Sequence, residues 1–458
     1  MVLIFPRRIV YSIYERAMNY KTTECLNELR KIQWSSEEDI KKYQWSRLEA
    51  LLRYAYESVP FYKTLFNTIP IDVKNSISID EFRKIPLLDR EIITKNRDTL
   101  LSTRYQPSEL MIDTTSGSTG KKLVFYREKR GEKRNNYLRE AASLRSMEWL
   151  GIGRYDKVAM LWGSQMNLSG IKKLKALMWR SIFPTLFLSS YNVTPTMMNT
   201  YAKKLILFKP KMVLGYASAL YMFANYLEEK SIEIRGLKGI VSSAETLYQF
   251  QRDRIERVFQ CKVFECYGCR EFGTVAQECM EHKGLHVVNE HVFVEILDEE
   301  GNPCKPGILG KIVITDLDNY CFPFIRYDIG DIGIFSDKKC GCGRGLPLLE
   351  KVEGRTFDII VGINRNYFTG TFWTILLRTY VKGIEQFQVI QENFGELVIK
   401  LVTDESFTEN EKNKLLEYIH EKCGNDMKVV FELVDRIPLT ESGKHRFIIS
   451  KISPFLNK

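Results

Sequence analysis

Residues Thr114-Thr115-Ser116-Gly117-Ser118-Thr119-Gly120-Lys121-Lys122 carry the sharpest chemical signal in the sequence. Glycines let the backbone come close to a ligand and adopt unusual φ values. Hydroxyls and backbone N–H groups donate to phosphate oxygens, and Lys121 or Lys122 adds positive charge. The run is not a Walker loop, because Thr115 and Lys122 stand where that motif requires Gly and Ser/Thr. A flexible surface turn is the plain alternative. A second constellation is Cys340-Gly341-Cys342, with Cys279, His282, His286 and His291 upstream. Two thiolates from a tight turn, one more Cys and one His would close a tetrahedral Zn²⁺ site. With no open position, such a site is structural. Reduced buried thiols are the competing reading, and His282 rivals His286 as fourth ligand.

These residues need elements to hold them. Around the Ser/Thr/Gly run, apolar residues from Leu110 and the β-favouring Leu123-Val124-Phe125-Tyr126 predict a strand–loop–strand over 110–126. Glu37 to Ser58 shows helical spacing (Ile40, Tyr43, Trp45, Leu48, Leu51, Leu52, Tyr56), ended by Pro60. A short helix is expected around Ile79–Phe82. Short apolar runs at 157–163, 211–216, 237–245 and 261–268 follow, with helical stretches at 195–208, 217–230 and 246–259 separating the later ones. That alternation predicts α/β layers on a mainly parallel sheet. From 292 to 335, short β segments with turns predict a small β-rich subdomain. After Gly354-Arg355, β segments and a helix over 408–423 form a mixed α+β unit. The expected division is a large domain over 1–355 and a small mobile cap over 356–458.

The ordered motifs resemble the acyl-adenylate-forming superfamily. Thr114 to Lys122 looks like its phosphate loop, and Ser242-Ser243-Ala244-Glu245 like its adenine-binding stretch. Tyr267-Gly268-Cys269-Arg270-Glu271 resembles Tyr-Gly-x-[Thr/Ser]-Glu, and Arg326-Tyr327-Asp328-Ile329-Gly330-Asp331 resembles Tyr-Arg-Thr-Gly-Asp. Pro438-Leu439-Thr440 with Ser442-Gly443-Lys444 resembles Pro-x-Thr-x-Ser-Gly-Lys. Within that superfamily the segments 47–66, 85–93, 284–291 and 340–347 look most like phenylacetate–CoA ligases, in the branch found in capsular-polysaccharide gene clusters.

The resemblance implies that a carboxylate is joined to the α-phosphorus of ATP and then transferred, most simply to CoA. In that scheme Thr115, Ser116, Gly117, Ser118, Thr119, Gly120 and Lys121 grip phosphates. Glu271 holds Mg²⁺, a role suited to a hard oxygen ligand. Asp331 accepts from the ribose hydroxyls; a turn Asp capping Gly330 is the simpler alternative. Ala244 and Glu245 line the adenine, Tyr267 with Gly268 contacts adenine or the α-phosphate, and Lys444 meets developing charge. The implied zinc ligands are Cys279, His286, Cys340 and Cys342. Trp162, Tyr216 and Ser218 are candidate lining for an acyl pocket. The chain departs from the pattern at Arg270, in the Thr/Ser slot, at Asp328, in place of Arg, and at Phe357, where the hinge acid is usual. Amide formation or AMP transfer to a polysaccharide precursor, and a non-catalytic nucleotide-binding scaffold, stay open as alternatives.

Composition sets the outer bounds. The chain has 458 residues, 44% of them hydrophobic, with 28 Gly, 14 Pro and a net charge of +10. That excludes disordered and collagen-like classes, and a modest positive surplus suits an anionic ligand. Ten cysteines are too few for a disulfide scaffold. No secretory signal and no 18-residue apolar stretch is present, so the cytoplasm is expected. The basic residues from Lys121 to Arg145 alternate with Glu128, Glu132 and Glu140, which argues against nucleic acid. Peripheral membrane contact through the N-terminal stretch, contact with polysaccharide machinery, and a dimer remain compatible with the sequence.

Overall fold

The computed structural model describes residues 7–18, 20–115, 123–129, 135–162, 182–190, 194–355, 359–364, 366–368, 370–438 and 445–452. Among them, eleven strands form one continuous mixed sheet. Its parallel half runs in the order Thr185–Ser189, Val158–Trp162, Met212–Gly215, Gly239–Ser243, Val263–Cys269. The helices Pro195–Phe208, Ala217–Glu229 and Gln249–Phe259 connect these strands as the α/β pattern requires. Strand order reverses at Val158–Trp162, which has Thr185–Ser189 on one side and Met212–Gly215 on the other. In α/β sheets, ligand crevices open at the carboxyl ends of strands beside such a reversal.

The stretch expected to form a small β-rich subdomain is built on this same sheet. Val263–Cys269 turns back into Gly273–Glu278, and Leu285–Val287, Leu348–Arg355, Tyr327–Phe335, Leu309–Asp316 and Val292–Leu297 add on in antiparallel register. The periodicity of each strand is local, whereas which neighbour it pairs with is not. The antiparallel half is backed by the helices Glu37–Ser58 and Pro60–Thr68. Pro60 does end the first helix, but it also opens the second as its first residue, where a missing N–H costs nothing. Leu48, Leu51, Leu52, Tyr62 and Phe82 bury against Phe272, Phe322 and Phe324 in the largest core.

The strand–loop–strand around 110–126 is an antiparallel hairpin, Leu110–Thr114 with Val124–Glu128. The N-terminal helix Arg7–Ala17 packs through Tyr11, whose ring lies 3.9 Å beneath the Arg154 guanidinium, and leaves Ile9, Val10 and Ile13 exposed. After residue 358 a four-stranded sheet, ordered Lys428–Leu433, Glu396–Thr403, Ile384–Gln391, Ile448–Ser450, packs against Glu409–Cys423. It has its own core of Trp373, Phe387, Ile399, Leu415 and Ile419. Among the described residues no helix is long and apolar enough to cross a membrane.

Candidate active site and metal centre

The carboxyl ends of the parallel strands gather most of the candidate residues. At the strand reversal, the Trp162 ring lies 4.4 Å from that of Tyr216. One strand further, the chain leaves Gly239–Ser243 through Ala244, held at φ +66°. That is a left-handed backbone which a β-carbon disfavours, and such strain concentrates at functional turns. Glu245 then reaches back to the helix Ala217–Glu229. Its carboxylate accepts from the Ser218 backbone N–H at 2.8 Å and from the Ser218 hydroxyl at 3.0 Å. Tyr216, the N-cap residue, makes no side-chain cap of its own. An anionic cap at a helix N-terminus satisfies an orphan donor and meets the positive end of the helix dipole. Sequence reasoning missed this role, since the two residues are 27 positions apart.

Next along the sheet stands Tyr267. Its hydroxyl donates to Asp331 Oδ2 at 2.8 Å, across from Val263–Cys269 to Tyr327–Phe335. The capping of Gly330 falls to a different residue: Asp328 Oδ1 accepts from the Gly330 N–H at 2.9 Å. Burial raises the Asp328 carboxyl above the usual carboxylate range, and this backbone bond partly offsets it. Gly268 is required by packing, because a β-carbon there would come within 2.4 Å of the Gly273 carbonyl oxygen.

Glu271 occupies the turn between Val263–Cys269 and Gly273–Glu278 and is only 4% exposed. Its charge, after burial itself, raises the neighbouring Cys269 thiol and Tyr327 hydroxyl. Both effects favour the neutral thiol at Cys269. A buried carboxylate at this turn is a hard oxygen ligand of the type that suits a divalent ion. Arg270, in the Thr/Ser slot, donates from Nε to Asp113 Oδ1 at 2.8 Å. Asp113 lies one residue before Thr114 and also pairs with Arg127 at 2.9 Å. The hairpin that carries the Ser/Thr/Gly run is thus tied to the Glu271 turn.

Thr115 closes the base of that loop. Its N–H donates to the Leu123 carbonyl at 3.0 Å, and its hydroxyl accepts from the Leu123 N–H at 3.2 Å. Ser116, Gly117, Ser118, Thr119, Gly120 and Lys121 lie outside the described residues, as do Phe357 and Lys444. Just after Lys444, Phe447 sets its ring 5.0 Å from Tyr248, three residues beyond Glu245.

The second constellation assembles about the antiparallel half. Cys279 follows Gly273–Glu278, His286 lies on Leu285–Val287, and Cys340 and Cys342 lie in the loop before Leu348–Arg355. Their ligand atoms all lie within 4.8 Å of one another. Cys279 Sγ is 3.6 Å from Cys340 Sγ, and Cys342 Sγ is 3.3 Å from His286 Nε2. Ligands about 2.3 Å from a tetrahedral Zn²⁺ sit roughly 3.8 Å apart, so the residues present fit that ion. The His286 Nδ1–H points at the Leu346 carbonyl at 3.4 Å, which turns Nε2 toward the sulfur atoms. Burial lowers His286 to about 4, keeping it neutral as a ligand must be. Burial pushes Cys279 up to about 12. It pushes Cys342 up too, but Arg344, through its backbone N–H and its side chain, brings that thiol net below its usual value. His282 sits elsewhere, 3.3 Å from Glu278 and stacked on Phe264.

A third cluster, His291 with Asp316 and Asp318, is buried and already satisfied. His291 Nδ1 lies 2.9 Å from Asp318, its Nε2 lies 2.9 Å from the Phe272 carbonyl, and Arg47 pairs with Asp318. With acceptors at both nitrogens the ring carries both protons. The neighbouring carboxylates outweigh burial and raise its pKa.

Comparison with known proteins agrees with this architecture. Residues 361–451 match the family described as the CapK C-terminal domain. Protein CapK of Staphylococcus aureus is 25% identical over 411 residues, covering 87% of this chain and 86% of that one. The phenylacetate–coenzyme A ligase of Thermus thermophilus is 22% identical and covers 86% and 93%. Among solved structures, 2-hydroxyisobutyryl-CoA ligase in its postadenylation state superposes with a TM-score of 0.73 at 19% identity, over 93% of this chain and 92% of that one. The chain is a relative of CapK and of the phenylacetate–coenzyme A ligases, and it has the fold of the adenylate-forming ligases.

Proposed function

We propose that the protein is an ATP-dependent ligase that activates a carboxylic acid as its acyl-adenylate and passes the acyl group to the thiol of CoA. The observation that carries this reading is the meeting of Tyr267, Glu271, Asp331 and the Thr115 hairpin at one end of the sheet. Kinship with phenylacetate–coenzyme A ligases supports the acid–thiol chemistry, and kinship with CapK supports a place in surface-polysaccharide biosynthesis.

In the first half-reaction a carboxylate oxygen of the acid attacks the α-phosphorus of ATP. The bond from that phosphorus to the bridging oxygen breaks, and pyrophosphate leaves. Both reactants are anions, so the site must hold them in line and offset their repulsion. Residues 115–121 grip the β- and γ-phosphates. Asp331 accepts from the ribose hydroxyls, with Tyr267 holding one of its oxygens. The adenine lies along Ala244 and Glu245, beside Gly268. Glu271 would hold Mg²⁺, which would supply neutralisation of phosphate charge. Lys444 meets the charge that develops on the α-phosphate. In the second half-reaction the thiolate attacks the acyl carbon, the C–O bond to AMP breaks, and AMP leaves.

We divide the chain at Arg355 into a nucleotide- and acyl-binding domain over 1–355 and a cap over 356–458 that rotates between half-reactions. The separate core of the C-terminal sheet supports that division. The acid enters at the Trp162–Tyr216 end of the sheet. The Cys279, His286, Cys340 and Cys342 cluster holds a structural Zn²⁺. We place the protein in the cytoplasm, where ATP and CoA are found.

The test is ATP–pyrophosphate exchange across a panel of carboxylic acids, followed by mass spectrometry of products with CoA, amines or sugars added. Acid-dependent exchange and an acyl-CoA product are expected. Protein that binds ATP yet exchanges with no acid overturns the ligase reading. An amide or an adenylylated sugar in place of a thioester transfers the acceptor assignment to that compound.

A further inference from the structure

Four consecutive carbonyl oxygens across the Glu271 turn accept from cationic side chains on other elements. Arg139, on the helix Asn135–Trp149, donates from Nη2 to the Cys269 carbonyl at 3.5 Å and to the Arg270 carbonyl at 2.8 Å. Its Nη1 donates to the Glu271 carbonyl at 3.2 Å. Arg127, on the strand after the Ser/Thr/Gly loop, donates to the Arg270 carbonyl as well. His291 donates from Nε2 to the Phe272 carbonyl at 2.9 Å. Arg139 also packs against Gly273, where a β-carbon would lie 2.6 Å from Arg139 Nε and the backbone is held at φ +77°.

Tight turns at a strand end normally leave such carbonyls to water. Here they receive charge-assisted bonds, roughly twice as strong as neutral ones. Those donors come from separate elements: Arg127 from the strand Val124–Glu128, Arg139 from the helix Asn135–Trp149 and His291 from the segment before Val292–Leu297. The backbone of the turn is therefore set before any ligand arrives, and with it the direction of the Glu271 side chain. Holding two guanidinium groups together has a cost: burial and the Arg139 charge depress Arg127 to about 10. The turn and the hairpin recover it jointly, since Asp113 binds both Arg127 and Arg270.

We propose that Arg139 is a positioning residue for Glu271, acting through the backbone carbonyls of the turn, with Arg127 as its second strut. The proposal rests on reading Glu271 as the holder of the divalent ion. Two consequences follow. Loss of Arg139 should weaken the metal and spare the nucleotide. It should also loosen the turn in protein that has no ligand at all.

The experiment measures Mn²⁺ binding to the full chain with ATP present by electron paramagnetic resonance, metal-free ATP affinity by calorimetry, and amide hydrogen exchange of the 269–273 segment without ligand. Parent protein is compared with E271Q, R139Q, R139K, R127Q and the double variant E271Q/R139Q. In E271Q and R139Q, Mn²⁺ should bind about tenfold more weakly, with metal-free ATP affinity within about twofold of the parent. The double variant should be no weaker than E271Q alone, R139K should recover part of the loss, and only the Arg139 and Arg127 variants should speed exchange. If E271Q loses the metal while folded R139Q binds it like the parent, the positioning role is overturned and the Glu271 reading stands. If E271Q itself binds Mn²⁺ normally, the Glu271 reading falls and takes this proposal with it. Should R139Q fail to fold, R139K and R127Q decide: parent-like Mn²⁺ binding in both overturns the proposal.

Discussion

The Tyr267 hydroxyl and the Asp331 carboxylate, 64 residues apart in sequence, meet at 2.8 Å between two strands of one sheet. The bond holds Asp331 through Oδ2. On the proposed role of Asp331 as acceptor for the ribose hydroxyls, D331A should lower ATP affinity by about 100-fold. Y267F, which removes only the prop, should cost about tenfold or less. Calorimetric titration with ATP checks both; a Y267F loss as large as that of D331A would make Tyr267 a direct nucleotide contact.

The cysteine–histidine centre should contain one Zn²⁺ per chain in freshly purified protein by elemental analysis. C340S and C342S should each lose the metal and unfold at lower urea, by several kcal/mol, because a structural site contributes its binding energy to folding. H282Q should keep the metal, since His282 pairs with Glu278 and stacks on Phe264.

K444A should lose adenylation by at least about 100-fold, the scale expected when one charge-stabilising donor is removed. Its ATP affinity should stay within about threefold of the parent. Pyrophosphate exchange and ATP titration on the same sample separate the two effects, and parent-like exchange removes Lys444 from the mechanism.

Glu245 caps the helix Ala217–Glu229 through Ser218. E245A should destabilise the protein by about 1–2 kcal/mol, as for other lost caps. E245Q should retain about half of that, because an amide oxygen still accepts but carries no charge. Urea unfolding measures both, and unchanged stability in E245A would assign the carboxylate to ligand binding alone.

Glu265 gives a pH prediction. Burial, then the adjacent Glu278, pushes its carboxyl up to about 8 from an ordinary 4.5. The folded state thus binds a proton that the unfolded chain has released across this window, so stability falls as pH rises from 4.5 to 8. E265Q, which cannot ionise, should lack this loss. Thermal melts from pH 5 to pH 9 should show the parent falling progressively behind E265Q, and parallel curves would place Glu265 in ordinary solvent.

Much of the fold was legible in the residues because its signals are local. Apolar periodicity marked the helix Glu37–Ser58 and the parallel strands with their helices, since burial of one face imposes spacing on the chain itself. The Gly- and Ser-rich run between two β-favouring segments marked the hairpin for the same reason. Motif order and the Cys-Gly-Cys turn also named most of the candidate residues. Tertiary structure decided what those residues touch. It merged the expected β-rich subdomain into the parallel sheet, since strand pairing depends on neighbours distant in sequence. It selected His286 over His282 for the cysteine cluster, gave the capping of Gly330 to Asp328, and set Glu245 on Ser218. It also brought Arg127, Arg139 and His291 around the Glu271 turn, from elements up to about 150 residues away. No spacing along the chain encodes such a contact, because each partner's place is set by a different layer of the packed core.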